Sequence, residues 1–276
     1  MKSSSELPFY RLDNHSEINY LTPGFDLGQP IAMKVNHDLI NTVSHRPWPL
    51  PKRQWSYYQE WNNALFLHWK IPTKELMKLI PKEISVDTFN GESWISLVAF
   101  KMERIRPRNL PSVSMISDFY EINIRTYVTK DDKPGVYFLS IEAEKEISCF
   151  IAKLLSGLPY TKTSMQFQSN GNSPMYYSIN TNKGFQLKAN FTIGESIRDK
   201  SVLDNWLTER YCLYLEKDQK VFRYETHHKP WDLNVVKISK LKTNYRIGNI
   251  SLNEKPALTH FSTGVKVVAW SRECLK

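Results

Sequence analysis

The sequence predicts an α+β domain that is mainly antiparallel β, with many short strands in a barrel or a sandwich and a few helices outside. Three observations support this. Aromatic residues make up 13% of the chain and cluster with β-branched residues in short runs, as strands prefer. Tight-turn signals, among them two Asn-Gly pairs (Asn90-Gly91 and Asn170-Gly171), separate those runs. Residues 121–128 alternate cleanly: Ile122, Ile124, Thr126 and Val128 fall on one face of a strand, and Glu121, Asn123, Arg125 and Tyr127 on the other.

Residues 1–45 are rich in polar and turn-forming residues without periodicity, and read as an N-terminal arm, flexible or packed on the surface. Arg46-Pro47-Trp48-Pro49-Leu50-Pro51 holds the backbone extended, and a single domain, 46–276, starts there. Residues 55–69 end in the buried-strand run Ala64-Leu65-Phe66-Leu67-His68-Trp69. Thr73 is placed to cap a short helix with Leu76, Leu79 and Ile80 on one face. A hairpin is expected across Asn90-Gly91, joining 86–89 to 94–100, and a second across 130–135, joining 121–128 to 136–143. Ile147, Phe150, Ile151, Leu154 and Leu155 recur at helical spacing over 144–156, with Gly157 as the stop. Strands follow near 163–169, 174–180 and 185–193. A helix over 202–210 has Ser201 and Asp204 spaced as a capping box. Further strands are expected at 211–217, 221–228, 232–238 and 265–271.

A chain of 276 residues with 41% hydrophobic and 24% charged residues can bury a substantial core. The net charge of +9 arises from scattered residues, with no basic block or nucleic-acid motif, so nucleic acid is not the expected partner. Cys149, Cys212 and Cys274 are odd in number and widely spaced, which suggests neither disulfides nor a zinc site. No leader-like or membrane-spanning apolar run is seen, so the expected compartment is the cytoplasm. No phosphate loop or nucleophile elbow occurs, and no cofactor or metal is called for. His227 and His228, adjacent on a strand, point to opposite faces and chelate poorly, even with His68 as a third ligand.

Several ordered strings resemble the YqjF-like family of uncharacterised proteins. They are Leu67-His68-Trp69, Val86-Asp87-Thr88-Phe89-Asn90-Gly91, the strand 121–128, Pro134-Gly135-Val136-Tyr137-Phe138, Gly157-Leu158-Pro159-Tyr160, Leu207-Thr208-Glu209-Arg210-Tyr211 and His227-His228-Lys229-Pro230-Trp231. The resemblance covers about residues 46–271 and reaches to the acetoacetate-decarboxylase-like superfamily. It implies a curved antiparallel barrel or cone with outer helices and a central pocket. The prototype enzymes form a Schiff base through the lysine of a Gly-x-Pro-Lys segment. Here Tyr160 occupies that position and Lys162 lies two residues on. A tyrosine cannot form an imine, so the prototype chemistry is carried by Lys162, which in an extended chain shares a face with Tyr160, or is not inherited. The resemblance places the prototype's pocket carboxylate at Glu121.

In a barrel, the apolar row of 121–128 would pack against outer helices and the polar row would face inward. Arg125 and Glu121 then form either a structural ion pair or a binding wall in which Arg125 grips a carboxylate or phosphate and Glu121 transfers a proton. The expected ligand is a small anionic or carbonyl-bearing molecule, met by Asn123, Arg125, Tyr127, His68, His228 and Lys162. Glu121 and Tyr160 would be the catalytic pair if the protein is instead a lyase or hydrolase. A purely structural or interaction module is the third reading.

Overall fold

The computed structural model describes residues 37–145 and 160–275. Its strands are β1 Tyr57–Ile71, β2 Ser85–Val86, β3 Ser93–Pro107, β4 Phe119–Lys130, β5 Lys133–Ala143, β6 Tyr160–Lys162, β7 Ser164–Gln168, β8 Met175–Asn180, β9 Phe185–Ser196, β10 Cys212–Lys217, β11 Lys220–His228, β12 Asn234–Asn244, β13 Arg246–Ile247, β14 Ile250–Ser251, β15 Leu258–Ala269 and β16 Glu273–Cys274. Short helices span His37–Asn41, Thr73–Leu76, Ser114–Ser117 and Val202–Thr208. The predicted helix over 144–156 with its Gly157 stop, Cys149, and most of the predicted N-terminal arm lie outside the described residues. No described helix is long and apolar enough to cross a membrane.

One mixed, mostly antiparallel sheet dominates, and its pairings run β11-β10-β5-β4-β3-β1-β15. A further pairing of β11 with β15, Thr226 opposite Ala269 and His228 opposite Val267, closes these strands into a curved circuit. Curvature has local causes. The β1–β3 register shifts between Tyr58 and Glu60 and again between Asn62 and Leu65. Asn63 and Arg104 take positive φ there, as bulged residues do. Gly264 sits opposite Asn62 at φ +140°, where a Cβ would come within 2.5 Å of the Trp61 carbonyl oxygen, so only glycine fits.

Beyond β15 the sheet continues through β12, β9, β8 and β7. This extension covers the outer face of the circuit. Leu65, Leu67, Leu97, Ile122 and Ile124 pack against Leu187, Ala189, Phe191 and Phe261 in the largest apolar core. The apolar row of β4 therefore lies in a core shared with a second layer of sheet and with Leu76 of the helix Thr73–Leu76. Strands supply that layer because β9 and β12 are long and alternate in burial along their length.

Turn chemistry sets the local details. The β4–β5 hairpin closes on Asp131 and Asp132, both at positive φ, so the turn is two residues long inside the predicted 130–135. Asn90 and Gly91 also take positive φ, but the expected hairpin is a single bridge, Phe89 with Glu92, because β2 pairs with β4. Thr73 is the first helical residue rather than a cap, and its hydroxyl is 2.7 Å from Ser93 Oγ. Ser201 and Asp204 do form a capping box.

Residues just ahead of β1 pack on the circuit. Leu39 is buried with Tyr58, Val268 and Trp270. Arg46 Nη2 bonds Glu225 Oε2 at 2.7 Å, and Lys133 and Trp48 donate to the same carboxylate. Its guanidinium also lies over the Trp48 and Tyr211 rings.

Candidate functional site

The inner face of the circuit encloses a cavity of about 420 Å³. The polar row of β4 forms part of its wall: Glu121, Asn123 and Arg125 all line it, and all are buried. Tyr160, His228, Thr226 and Arg210 join them from β6, β11 and the segment after the helix Val202–Thr208. Phe66, Phe100, Phe138, Trp61 and Trp231 supply much of the remaining surface.

Glu121 Oε2 accepts a hydrogen bond from the Tyr160 hydroxyl at 2.9 Å, and Oε1 accepts one from Asn123 Nδ2 at 3.1 Å. Burial lifts its pKa to about 7, although both hydrogen bonds and the Arg125 charge pull it down. Arg125 lies over the Phe66 ring at 5.7 Å. Its Nε and Nη2 are buried and have no hydrogen-bond partner among the described residues. Glu121 does not neutralise it at contact distance: four residues along a strand span about 13 Å. The guanidinium is therefore a buried cation on the cavity wall, with Tyr127 beside it and two of its donors unpaired among the described residues.

His228 divides its nitrogens. Its Nδ1 is 2.7 Å from the Lys229 carbonyl oxygen and must donate to it, and Nε2 is buried without a partner. Burial lowers its pKa, against the pull of Glu209. His227 points the other way, to the Leu39 carbonyl at 2.8 Å, as expected for neighbours on a strand. Arg210, at the end of the predicted helix 202–210, bonds Asp87 Oδ2 at 2.6 Å and the Trp206 carbonyl at 2.7 Å. Its remaining nitrogen, Nη2, is buried and unpartnered, and the residue lines the cavity.

His68, Tyr127 and Lys162 are not on the cavity wall. Lys162 is exposed. The other two belong to a buried chain of hydrogen bonds. Tyr127 donates to the Leu207 carbonyl at 2.9 Å and contacts Ser96 Oγ at 2.5 Å. Ser96 Oγ is 2.6 Å from His68 Nδ1, His68 Nε2 is 3.1 Å from His260 Nδ1, and His260 Nε2 is 2.9 Å from Asp204 Oδ1. Burial holds both histidines low, with His260 and Arg125 adding to the effect at His68 and Asp204 opposing it at His260. At Asp204 burial raises the pKa, but hydrogen bonds from Ser201 and His260 outweigh it, and the carboxyl stays low.

The chain has five links. With Asp204 ionised and both rings neutral, its four inner groups carry one hydrogen each. Asp204 forces the direction: His260 donates to it, His68 to His260, and Ser96 to His68. Tyr127 is then left with one hydrogen facing two acceptors. Ser96 and His260 were not singled out in the sequence, and Asp204 only as part of the capping box with Ser201. The one available signal was the alternation that puts His260 and Ser262 on one face of β15.

The model of the DUF2071 family, described as an uncharacterised conserved protein, matches residues 58–266. The chain belongs to this family. It is also 34% identical over 225 residues to the uncharacterised protein YqjF of Bacillus subtilis strain 168, an alignment covering 80% of this chain and 93% of the relative. Solved structures with the same fold are much more distant. The acetoacetate decarboxylase of Legionella pneumophila superposes with a TM-score of 0.57 at 11% identity, over 84% of this chain and 94% of that one. An acetoacetate-decarboxylase-like enzyme from Sphingomonas wittichii RW1 gives 0.56 at 13%, over 84% and 98%. The enduracididine biosynthesis enzyme MppR, complexed with pyruvate, gives 0.57 at 9%, over 84% and 93%. At such identities the likeness concerns the fold, which is acetoacetate-decarboxylase-like.

Proposed function

We propose that this DUF2071 protein binds a small organic anion, of carboxylate or carbonyl-bearing type, in the cavity inside the strand circuit. The observation that carries this reading is Arg125. A buried guanidinium with two unused donors is costly unless something satisfies it. A carboxylate is the partner its planar fork fits best. Asn123 and Arg210 stand beside it on the wall. The cavity volume lies within the range of ligand sites, and apolar walls with a few converging polar groups are typical of them.

A second reading, an enzyme of the lyase or hydrolase type, is favoured by Glu121. A carboxyl group with a pKa of about 7, hydrogen-bonded to a tyrosine, suits proton transfer near neutrality. Imine chemistry has no support: Tyr160 holds the position where a lysine would be needed, and no lysine lines the cavity among the described residues.

The test is calorimetry and thermal melting with small carboxylates such as pyruvate and acetoacetate on wild type and Arg125→Leu. Saturating ligand at a hundred times its Kd should stabilise wild type by about 2.7 kcal/mol. The variant should lose that shift while remaining folded. A wild-type protein that no carboxylate stabilises would refute the reading.

A further inference from the structure

The polar groups of the cavity wall gather mainly at one end, although Gln59, Arg106 and Ser117 also line it. On β4 the inward row runs Arg125, Asn123, Glu121, Phe119. On β3 the residues directly opposite are Ser96, Val98, Phe100 and Met102. From Arg125 to Phe119 is about 20 Å at ~3.3 Å per residue. Over that length the wall changes from guanidinium and amide to aromatic ring and thioether. The apolar stretch continues: Ile105, Leu110, Val113 and Ile116 also line the cavity. Leu110 and Val113 are wall residues yet remain 58% and 54% exposed. A short polar acid held at Arg125 would leave all of this surface uncovered.

We propose that the anion carries a long apolar body, so that the preferred ligand class is a medium-chain alkyl carboxylate. This rests on the anion-binding reading above and extends it. The carboxylate sits level with Arg125 and Asn123. The chain runs past the Glu121–Tyr160 pair, between Phe100 and Phe119, and its far end covers Leu110 and Val113. Glu121 stands beside the alkyl chain, whose apolar surroundings favour its protonated form. Binding is then tightest below neutrality and weakens as Glu121 ionises. The charged group facing Glu121 is Arg125 on its own strand, and the neutral donors are Asn123 on that strand and the Tyr160 hydroxyl from β6.

The experiment is a calorimetric series on the full chain with acetate, butyrate, hexanoate and octanoate, below micellar concentrations, with octanol as the uncharged control. Each buried methylene should tighten binding about fourfold, or roughly 250-fold over the four methylenes from butyrate to octanoate. Octanol should bind far more weakly than octanoate to wild type, and Arg125→Leu should erase that preference. Met102→Gln, close to isosteric, should weaken octanoate several-fold and leave acetate unchanged, and its melting curve shows whether it folds. Carboxylates that bind with affinities independent of chain length would overturn the apolar-body proposal and leave anion binding standing. Octanol binding as tightly as octanoate would show that Arg125 is not the anchor and would also overturn it. No binding by any member of the series would sink both readings.

Discussion

The buried chain from Leu207 to Asp204 makes an unusual demand of a conservative substitution. In Asp204→Asn the side chain keeps one oxygen, which the Ser201 N–H claims at the helix cap, where it now donates to Asp204 Oδ2 at 2.8 Å. The amide nitrogen must then face His260 Nε2 and donate to it. Every link turns round: His260 donates to His68, His68 to Ser96, Ser96 to Tyr127, and Tyr127 to the Leu207 carbonyl alone. The asparagine supplies the fifth hydrogen that the native chain lacks. One buried hydrogen bond restored contributes about 0.5–1.5 kcal/mol. Losing a negative charge in the first helical turn costs about 0.3–1 kcal/mol. The two nearly cancel, so the variant should stay within about 1 kcal/mol of wild type at pH 8. Asp204→Ala strands both donors and should cost about 1–3 kcal/mol or more. The direct assay is imidazole nitrogen NMR. Wild-type His68 and His260 should be Nε2-H tautomers, and in Asp204→Asn both should become Nδ1-H tautomers. Unchanged tautomers, or an asparagine variant as damaged as the alanine one, would refute the reasoning.

Glu225→Leu should cost about 3–5 kcal/mol in denaturant unfolding, because it strands the buried Arg46 guanidinium, whereas Arg125→Leu strands no ion-paired carboxylate and should leave stability within about 1 kcal/mol. A chain starting at residue 37 should melt within a few degrees of the full one, and a chain starting at residue 47 should lose several kcal/mol, since it gives up Leu39 and Arg46 together. The folded pKa of Glu121 is raised from 4.5 to about 7, so its contribution is fully present below 4.5 and is lost as pH rises through 7; Glu121→Gln should flatten the stability profile between those limits. His68, His227, His228 and His260 are all depressed by burial, so their stabilisation is present above about 6.5 and is lost as pH falls, which acid titration of the melting temperature should follow. Borohydride trapping with acetoacetate should give no adduct by intact mass, and a stoichiometric adduct at Lys162 would contradict the absence of imine chemistry.

What could be read from sequence was local. The inward row of β4 follows from period-two alternation, and the capping box at Ser201 and Asp204 from a three-residue spacing. Opposite directions for His227 and His228 follow from adjacency alone. Pairings between distant segments carry no such mark. His68 meets His260 only because β1 and β15 are neighbours, and nothing in either segment encodes that register. Arg210 looked like a helix-end residue because its partner, Asp87, comes from a loop far away in sequence. Asn90-Gly91 shows the same limit: the turn residues took their expected backbone shape, while β2 chose β4 as partner over the strand next in sequence.

The pairing of β1 with β15 also bears on how the molecule is made. Tyr57 lies opposite Ala269, and Leu67 opposite Thr259, so the first long strand waits for residues far along the sequence before its second edge is satisfied. Closure over so great a separation carries a loop-entropy cost and sets a slow step. On a ribosome, β1, β3, β4 and β5 emerge as an open, aromatic-faced sheet whose inner wall has nothing to enclose. β15 reaches both β1 and β11, so it both pairs the exposed edge and creates the cavity. A nascent chain that stalls before residue 258 therefore displays a bare strand edge beside Phe66 and Phe100, a surface suited to chaperone capture or aggregation.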